Sequence, residues 1–136
     1  KQLLLPHTTV LTPNSHEARQ LTGLDDLNSC GLSLLMQGCE YVLLTGSHEA
    51  TENVENRLFH GQHLLESFSW KRLPESYHGS GCTLASSIAG LLAQGLDPIS
   101  AITQAQDFTW NALEAAYKVG QGQYNPNRLF WREALR

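Results

Sequence analysis

Apolar and polar positions alternate along this chain in blocks that switch between strand-like and helix-like periods. Residues 8–12 (Thr8-Thr9-Val10-Leu11-Thr12) predict a short strand, stopped by Pro13-Asn14. Ser15 is then the expected N-cap of a short helix running through Leu21 and ended by Gly23. Leu27, Gly31, Leu34 and Leu35 recur at helical spacing, with Gly38 as the stop. Residues 41–45 (Tyr41-Val42-Leu43-Leu44-Thr45) form a continuous apolar run of strand length, which suits a strand covered on both faces. Residues 49–55 are polar, carry three glutamates and read as a solvated loop. Residues 57–60 and 63–68 read as two strands of a hairpin around Gly61-Gln62, followed by a polar link over 72–77.

The second half reads as helical. An apolar pattern through Leu84, Ile88, Leu91 and Leu92 predicts a helix over 82–94, ended by Gly95. Its small residues, Ala85, Ser86, Ser87, Ala89 and Gly90, suggest close packing against a sheet. Asp97-Pro98 opens a further helix, with Asp97 as N-cap and Pro98 at the first helical position. Ile99, Ile102, Ala105, Ala112, Leu113 and Ala116 are its expected inner face, and Gly120 its stop. The aromatic tail over 124–131 is expected to pack on the body.

Composition narrows the class. With 136 residues and 41% hydrophobic content, the chain is expected to form one domain, 1–136, with a packed core. Net charge is -4 with no basic stripe, so nucleic acid is not an expected partner. No apolar run approaches a membrane span. Three cysteines without C-x-x-C spacing support neither a disulfide framework nor a zinc site. A reducing, cytoplasmic setting is the expectation.

The chemistry concentrates in Tyr77-His78-Gly79-Ser80-Gly81-Cys82-Thr83, just before an apolar helical pattern. Glycines allow a tight turn with exposed amides, and a helix start adds unpaired N–H groups and positive potential. Gly79, Ser80 and Gly81 are therefore read as an anion cradle, with the Cys82 thiol at its mouth handling a proton. A Walker loop would need lysine after the last glycine, and a nucleophile elbow a closing glycine where Leu84 stands. The alternative is a buried cysteine serving as a small hydrophobe. Asn14 and Glu17 lie where a strand ends and a helix begins, a usual ligand position in α/β sheets. Such a pair can hold a hydrated magnesium ion. Spacing alone favours a plain polar helix start, with Glu17 complementing the dipole. Thr45-Gly46-Ser47-His48 is a second candidate for nucleotide contact, or an ordinary turn. His60 and His63 flank a turn and read as exposed histidines rather than metal ligands.

Three blocks together, Thr12-Pro13-Asn14-Ser15-His16-Glu17-Ala18, Leu43-Leu44-Thr45-Gly46-Ser47-His48 and His78-Gly79-Ser80-Gly81-Cys82-Thr83, resemble the ribokinase-like superfamily. The nearest branch is hydroxymethylpyrimidine/phosphomethylpyrimidine kinase of thiamine biosynthesis, because cysteine follows the glycine motif where most sugar kinases of the superfamily carry aspartate. The resemblance implies a three-layer α/β/α sandwich. This chain would be its C-terminal, ATP-side portion, with a mostly parallel sheet plus a β-hairpin. It implies Cys82 as the catalytic residue activating the substrate hydroxyl, and Gly79, Ser80 and Gly81 as the anion hole. Asn14 and Glu17 would lie near Mg2+ and the ATP phosphates. Thr45, Gly46, Ser47 and His48 would face ATP, with Thr45 standing for the family's lysine and Ser47 for its second glycine. The implied activity is ATP-dependent phosphorylation of a small pyrimidine substrate. A pyridoxal (vitamin B6) kinase of the same superfamily, or a non-catalytic nucleotide- or precursor-binding fragment, are the alternatives. Nothing in the chain matches the family's N-terminal pyrimidine-site half. The expected association is a homodimer, or pairing with that half through an uncovered sheet edge.

Overall fold

The computed structural model describes residues 2–133, excluding the side chain of Glu133. The chain divides into two compact units, Lys1–Arg72 and Leu73–Arg136.

The first unit is a four-stranded mixed sheet with helices. After a 3-10 turn at Leu5–His7 come β1 (Val10–Leu11), α1 (Ser15–Thr22), α2 (Leu27–Met36), β2 (Tyr41–Leu44), β3 (Asn53–His60) and β4 (His63–Lys71). The strand order is β1-β2-β3-β4. β1 pairs parallel to β2, with Val10 opposite Tyr41, while β2/β3 and β3/β4 are antiparallel. Against the expectation of a mostly parallel sheet, one pair among the described strands is parallel. The short turn at Gly61-Gln62 forces β4 to run back along β3, and β3 itself returns along β2. The hairpin is longer than expected: β3 starts at Asn53, so the end of the polar 49–55 stretch is strand rather than loop. Asn53 and Glu55 hide the strand pattern because their faces are not buried.

All four residues of β2 are buried, as its apolar run requires. Val42, Leu44 and Phe59 pack with Leu27, Cys30 and Leu34 of α2 and with Ala18 of α1. The packing is tight at Gly31, where any Cβ would collide with the Phe59 ring. The first cap differs by one residue from the sequence reading. Asn14 is the N-cap of α1, and Ser15 is its first helical residue. Asn14 forms a capping box: its Oδ1 accepts from the Glu17 amide (2.9 Å) and Glu17 Oε2 accepts from the Asn14 amide (2.8 Å). Gly23 closes the helix at φ 76°, as expected.

The second unit holds α3 (Ser80–Ala93), α4 (Pro98–Glu114), a two-stranded ribbon of β5 (Tyr117–Lys118) and β6 (Tyr124–Asn125), and α5 (Phe130–Glu133). α3 packs along α4. Leu84 and Ile88 are buried on α3, and Ala101, Ile102, Ala105 and Ala112 on α4. α3 begins two residues before the expected 82, because Gly79 rather than Gly81 makes the left-handed turn. Ala85, Ser86, Ala89 and Gly90, expected to press on a sheet, are exposed within this chain. Asp97 caps α4 by accepting from the Ser100 amide (3.0 Å), with Pro98 at its first position. α4 stops at Glu114 rather than near Gly120, because Tyr117-Lys118 leave the helix to pair with Tyr124-Asn125. The expected inner residue Ile99 is 37% exposed. The tail packs in part: Pro126 is buried and Phe130 lies 5.5 Å from Phe108, ring to ring, while Trp131 is 47% exposed.

Candidate functional site

Two groups of the expected site residues are each gathered, one in each unit. In the first unit, the parallel pair continues past its strands: Asn14 bridges Thr45, the Thr45 amide donates to Pro13 O (2.9 Å) and the Ser15 amide to Thr45 O (3.0 Å). Asn14, Glu17, Thr45, Gly46, Ser47 and His48 therefore cluster at the carboxyl ends of adjacent parallel strands. The capping box commits one oxygen each of Asn14 and Glu17, and leaves Glu17 Oε1 uncommitted on an exposed side chain. Glu17 also lines a cleft of about 320 Å³ with Leu11, Thr12, Pro13, Gln20 and Leu21. One free carboxylate oxygen beside an amide suits a magnesium ion that keeps its water shell better than a closed protein cage. Among the described residues, no group of three or more His, Cys, Asp or Glu converges as such a cage. His60 and His63 turn their Nδ1 atoms to the carbonyls of Glu40 and Gly61, both at 2.9 Å.

The turn after β2 is held from several sides. The Gly46 amide donates to Oδ1 of the buried Asn56 (3.1 Å), and a Cβ at Gly46 would strike the Glu55 carbonyl. The His48 ring stacks on His16 with centroids 4.8 Å apart. Arg72 donates to the carbonyls of Ser47 (2.8 Å), Glu49 (2.8 Å) and Thr51 (2.9 Å). Glu49 forms a bidentate pair with Arg19 at 2.7 and 3.1 Å. The Arg19 guanidinium holds the Glu49 carboxyl down at about 2. The buried Ser15 hydroxyl adds to that lowering, although it stops short of hydrogen-bond geometry to any acceptor among the described residues. The sequence reading missed Arg72, Asn56 and the Arg19–Glu49 pair. Their partners are main-chain groups or lie 30 positions away, so no local spacing announces them.

In the second unit, Gly79 sits at φ 83° as the N-cap of α3, a conformation that side chains rarely adopt. Lacking a side chain, it leaves the helix start uncapped. The amides of Ser80, Gly81 and Cys82 meet no acceptor among the described residues. Gly81 has open space around its Cα, and the Cys82 thiol is exposed rather than packed as a small hydrophobe. Thr83 locks the turn: its amide and its hydroxyl both donate to the Gly79 carbonyl, at 2.9 and 2.8 Å. The approach strand is tied as well, since the His78 amide donates to Tyr124 O and the Tyr124 amide to Ser76 O, both at 2.9 Å. The tail then brings Arg128 back, and its Nε donates to Thr83 Oγ1 (3.1 Å). Arg128 is a further residue the sequence reading did not single out, because its partner is 45 positions earlier.

An uncapped, glycine-led helix start beside a free thiol, and a second polar cluster at the ends of parallel strands, are arrangements that can accept phosphate oxygens. Residues 1–127 match the family model described as phosphomethylpyrimidine kinase, and the chain belongs to that family. It is 30% identical to the hydroxymethylpyrimidine/phosphomethylpyrimidine kinase of Bacillus subtilis over 142 residues, covering 99% of this chain and 52% of that protein. Among solved structures, it is similar to an ADP complex of Bacillus subtilis pyridoxal kinase, with a TM-score of 0.89 at 27% identity, over 97% of this chain and 54% of that one. It is also similar to the pyridoxal kinase of Staphylococcus aureus in complex with AMP-PCP and pyridoxal, with a TM-score of 0.87 at 28% identity, over 95% and 51%. The chain thus spans about half the length of the relatives it matches. The fold is ribokinase-like α/β, with the mixed sheet described above. Among the described residues, no helix is long and apolar enough to cross a membrane.

Proposed function

We propose that this chain is the ATP-side part of a kinase that phosphorylates hydroxymethylpyrimidine and its monophosphate in thiamine biosynthesis, with its two units working as one domain. The observation that carries the reading is the start of α3, where three unmatched amides stand beside an exposed thiol. In phosphoryl transfer, charge spreads over the oxygens of the moving group, and preset N–H donors stabilise it without reorganising. The amides of Ser80, Gly81 and Cys82 are such donors. Cys82 takes the proton of the substrate hydroxyl as the new O–P bond forms and the bond between the γ-phosphorus of ATP and its bridging oxygen breaks, with ADP leaving. Thr45, Gly46, Ser47 and His48 contact the nucleotide side. Asn14 and Glu17 would hold hydrated Mg2+, which would supply positive charge against the phosphates. A cytoplasmic setting fits three cysteines that are all free.

A pyridoxal kinase is the second reading, favoured by the high likeness to pyridoxal kinase structures. One assay separates them. Purified protein with ATP and Mg2+ is given either hydroxymethylpyrimidine or pyridoxal, and ADP release is followed. Faster release with the pyrimidine is expected, and the reverse preference would move the protein to the second reading. Cys82→Ala is expected to slow turnover by about 10²–10⁴-fold with little change in KM. Undiminished turnover would remove Cys82 from the proton transfer. Nucleotide binding without any turnover would support a binding fragment instead.

A further inference from the structure

Arg128 stands where neither packing nor pairing accounts for it. Its side chain is exposed, and among the described residues no carboxylate pairs with it. Yet it is not loose. Nε donates to Thr83 Oγ1 at 3.1 Å, and one terminal nitrogen lies 3.2 Å from where a Cβ on Gly79 would be. The tail delivers it there: the Asn127 amide donates to Ala112 O at 2.8 Å, and Phe130 rests on Phe108. The guanidinium is thus fixed against the bend that opens α3. Cations are normally favoured at the opposite, C-terminal end of a helix, so this placement adds positive charge to an already positive end. Its two terminal nitrogens carry donors in a planar fork that matches a phosphate edge.

We propose that Arg128 is a specificity-determining residue of the cradle, meeting the outermost phosphoryl group of a nucleoside triphosphate and making the site prefer a triphosphate to a diphosphate. The proposal rests on the kinase reading above. A purely structural Arg128 would act through Thr83 alone, and any neutral donor of similar length would serve. A phosphate-reading Arg128 needs its charge. Arg128→Gln keeps a donor for Thr83 and loses the charge, whereas Arg128→Lys keeps the charge.

The test is calorimetric binding of AMP-PCP and of ADP, with Mg2+, to the wild-type protein and both variants. Arg128 is exposed, so both variants are expected to fold, and circular dichroism checks it. Arg128→Gln is expected to weaken AMP-PCP by about tenfold or more while ADP affinity stays the same, and Arg128→Lys, which keeps the charge but not the fork, to recover part of the loss. Equal weakening of both nucleotides, or none, would overturn the proposal while leaving the kinase reading in place. Failure of the wild-type protein to bind either nucleotide would overturn the kinase reading itself, and the role of Arg128 with it.

Discussion

Glu49 shows how one side chain can couple a loop to pH. Its carboxyl sits at about 2 rather than the ordinary 4.5, first of all because the Arg19 guanidinium donates two hydrogen bonds to it. A carboxylate whose folded value is depressed binds fewer protons than it does in the unfolded chain. The stability it contributes is therefore complete above about pH 4.5, shrinks below it, and is lost as pH falls through about 2. Glu49→Gln should flatten the dependence of urea-unfolding stability on pH across that window. At neutral pH the same change should cost only about 1 kcal/mol or less, since the pair is partly exposed and screened. Parallel pH profiles for wild type and variant would mean that the pair carries no acid sensitivity. Neither partner was legible beforehand. Glu49 reads as one of three glutamates in a polar stretch, and Arg19 as an ordinary helix residue.

At the scale of elements, local signals were legible where capping chemistry is local. Gly23 closing α1, Gly38 following α2 and Asp97-Pro98 opening α4 stand where the residues place them. The errors fall where a distant partner decides. Tyr117-Lys118 leave the helical pattern because Tyr124-Asn125 offer a ladder. β3 begins at Asn53 because β4 runs on to Lys71. The loop over 46–52 is the strongest case. Arg72 was legible only as part of a polar link, yet its guanidinium gathers three main-chain carbonyls and the Thr51 hydroxyl. Arg72→Ala should release that loop, raising amide exchange over 46–52 by about tenfold, equivalent to roughly 1–2 kcal/mol of local opening. Arg72→Lys should restore little, because one ammonium cannot span three carbonyls in a fixed plane. Unchanged exchange in Arg72→Ala would assign the loop's order to Asn56 and Glu49 instead.

For the whole molecule, the first-unit sheet has two outer strands, β1 and β4. β4 carries Glu66 and Lys71 and is mostly exposed, a common way of discouraging further pairing. β1 is short and partly buried, and it borders the cleft lined by Leu11, Pro13 and Leu21. We expect the protein to self-associate through that edge. Sedimentation velocity should then show a dimer that grows with concentration, and one monomeric species throughout would count against it. The geometry of the candidate site was readable in kind, since glycines before a helical pattern announce a tight turn into an uncapped helix start. It was not readable in detail, because Thr83, Arg128 and Arg72 act across 45 and about 20–25 positions.

The grip of Arg72 has one more implication. Apart from the Thr51 hydroxyl it holds peptide oxygens, which every amino acid supplies alike, so its hold on the Ser47 and Glu49 carbonyls does not depend on the side chains there. An exchange at Ser47 would leave that hold in place, so the surface chemistry there is expected to change without loss of the loop's path.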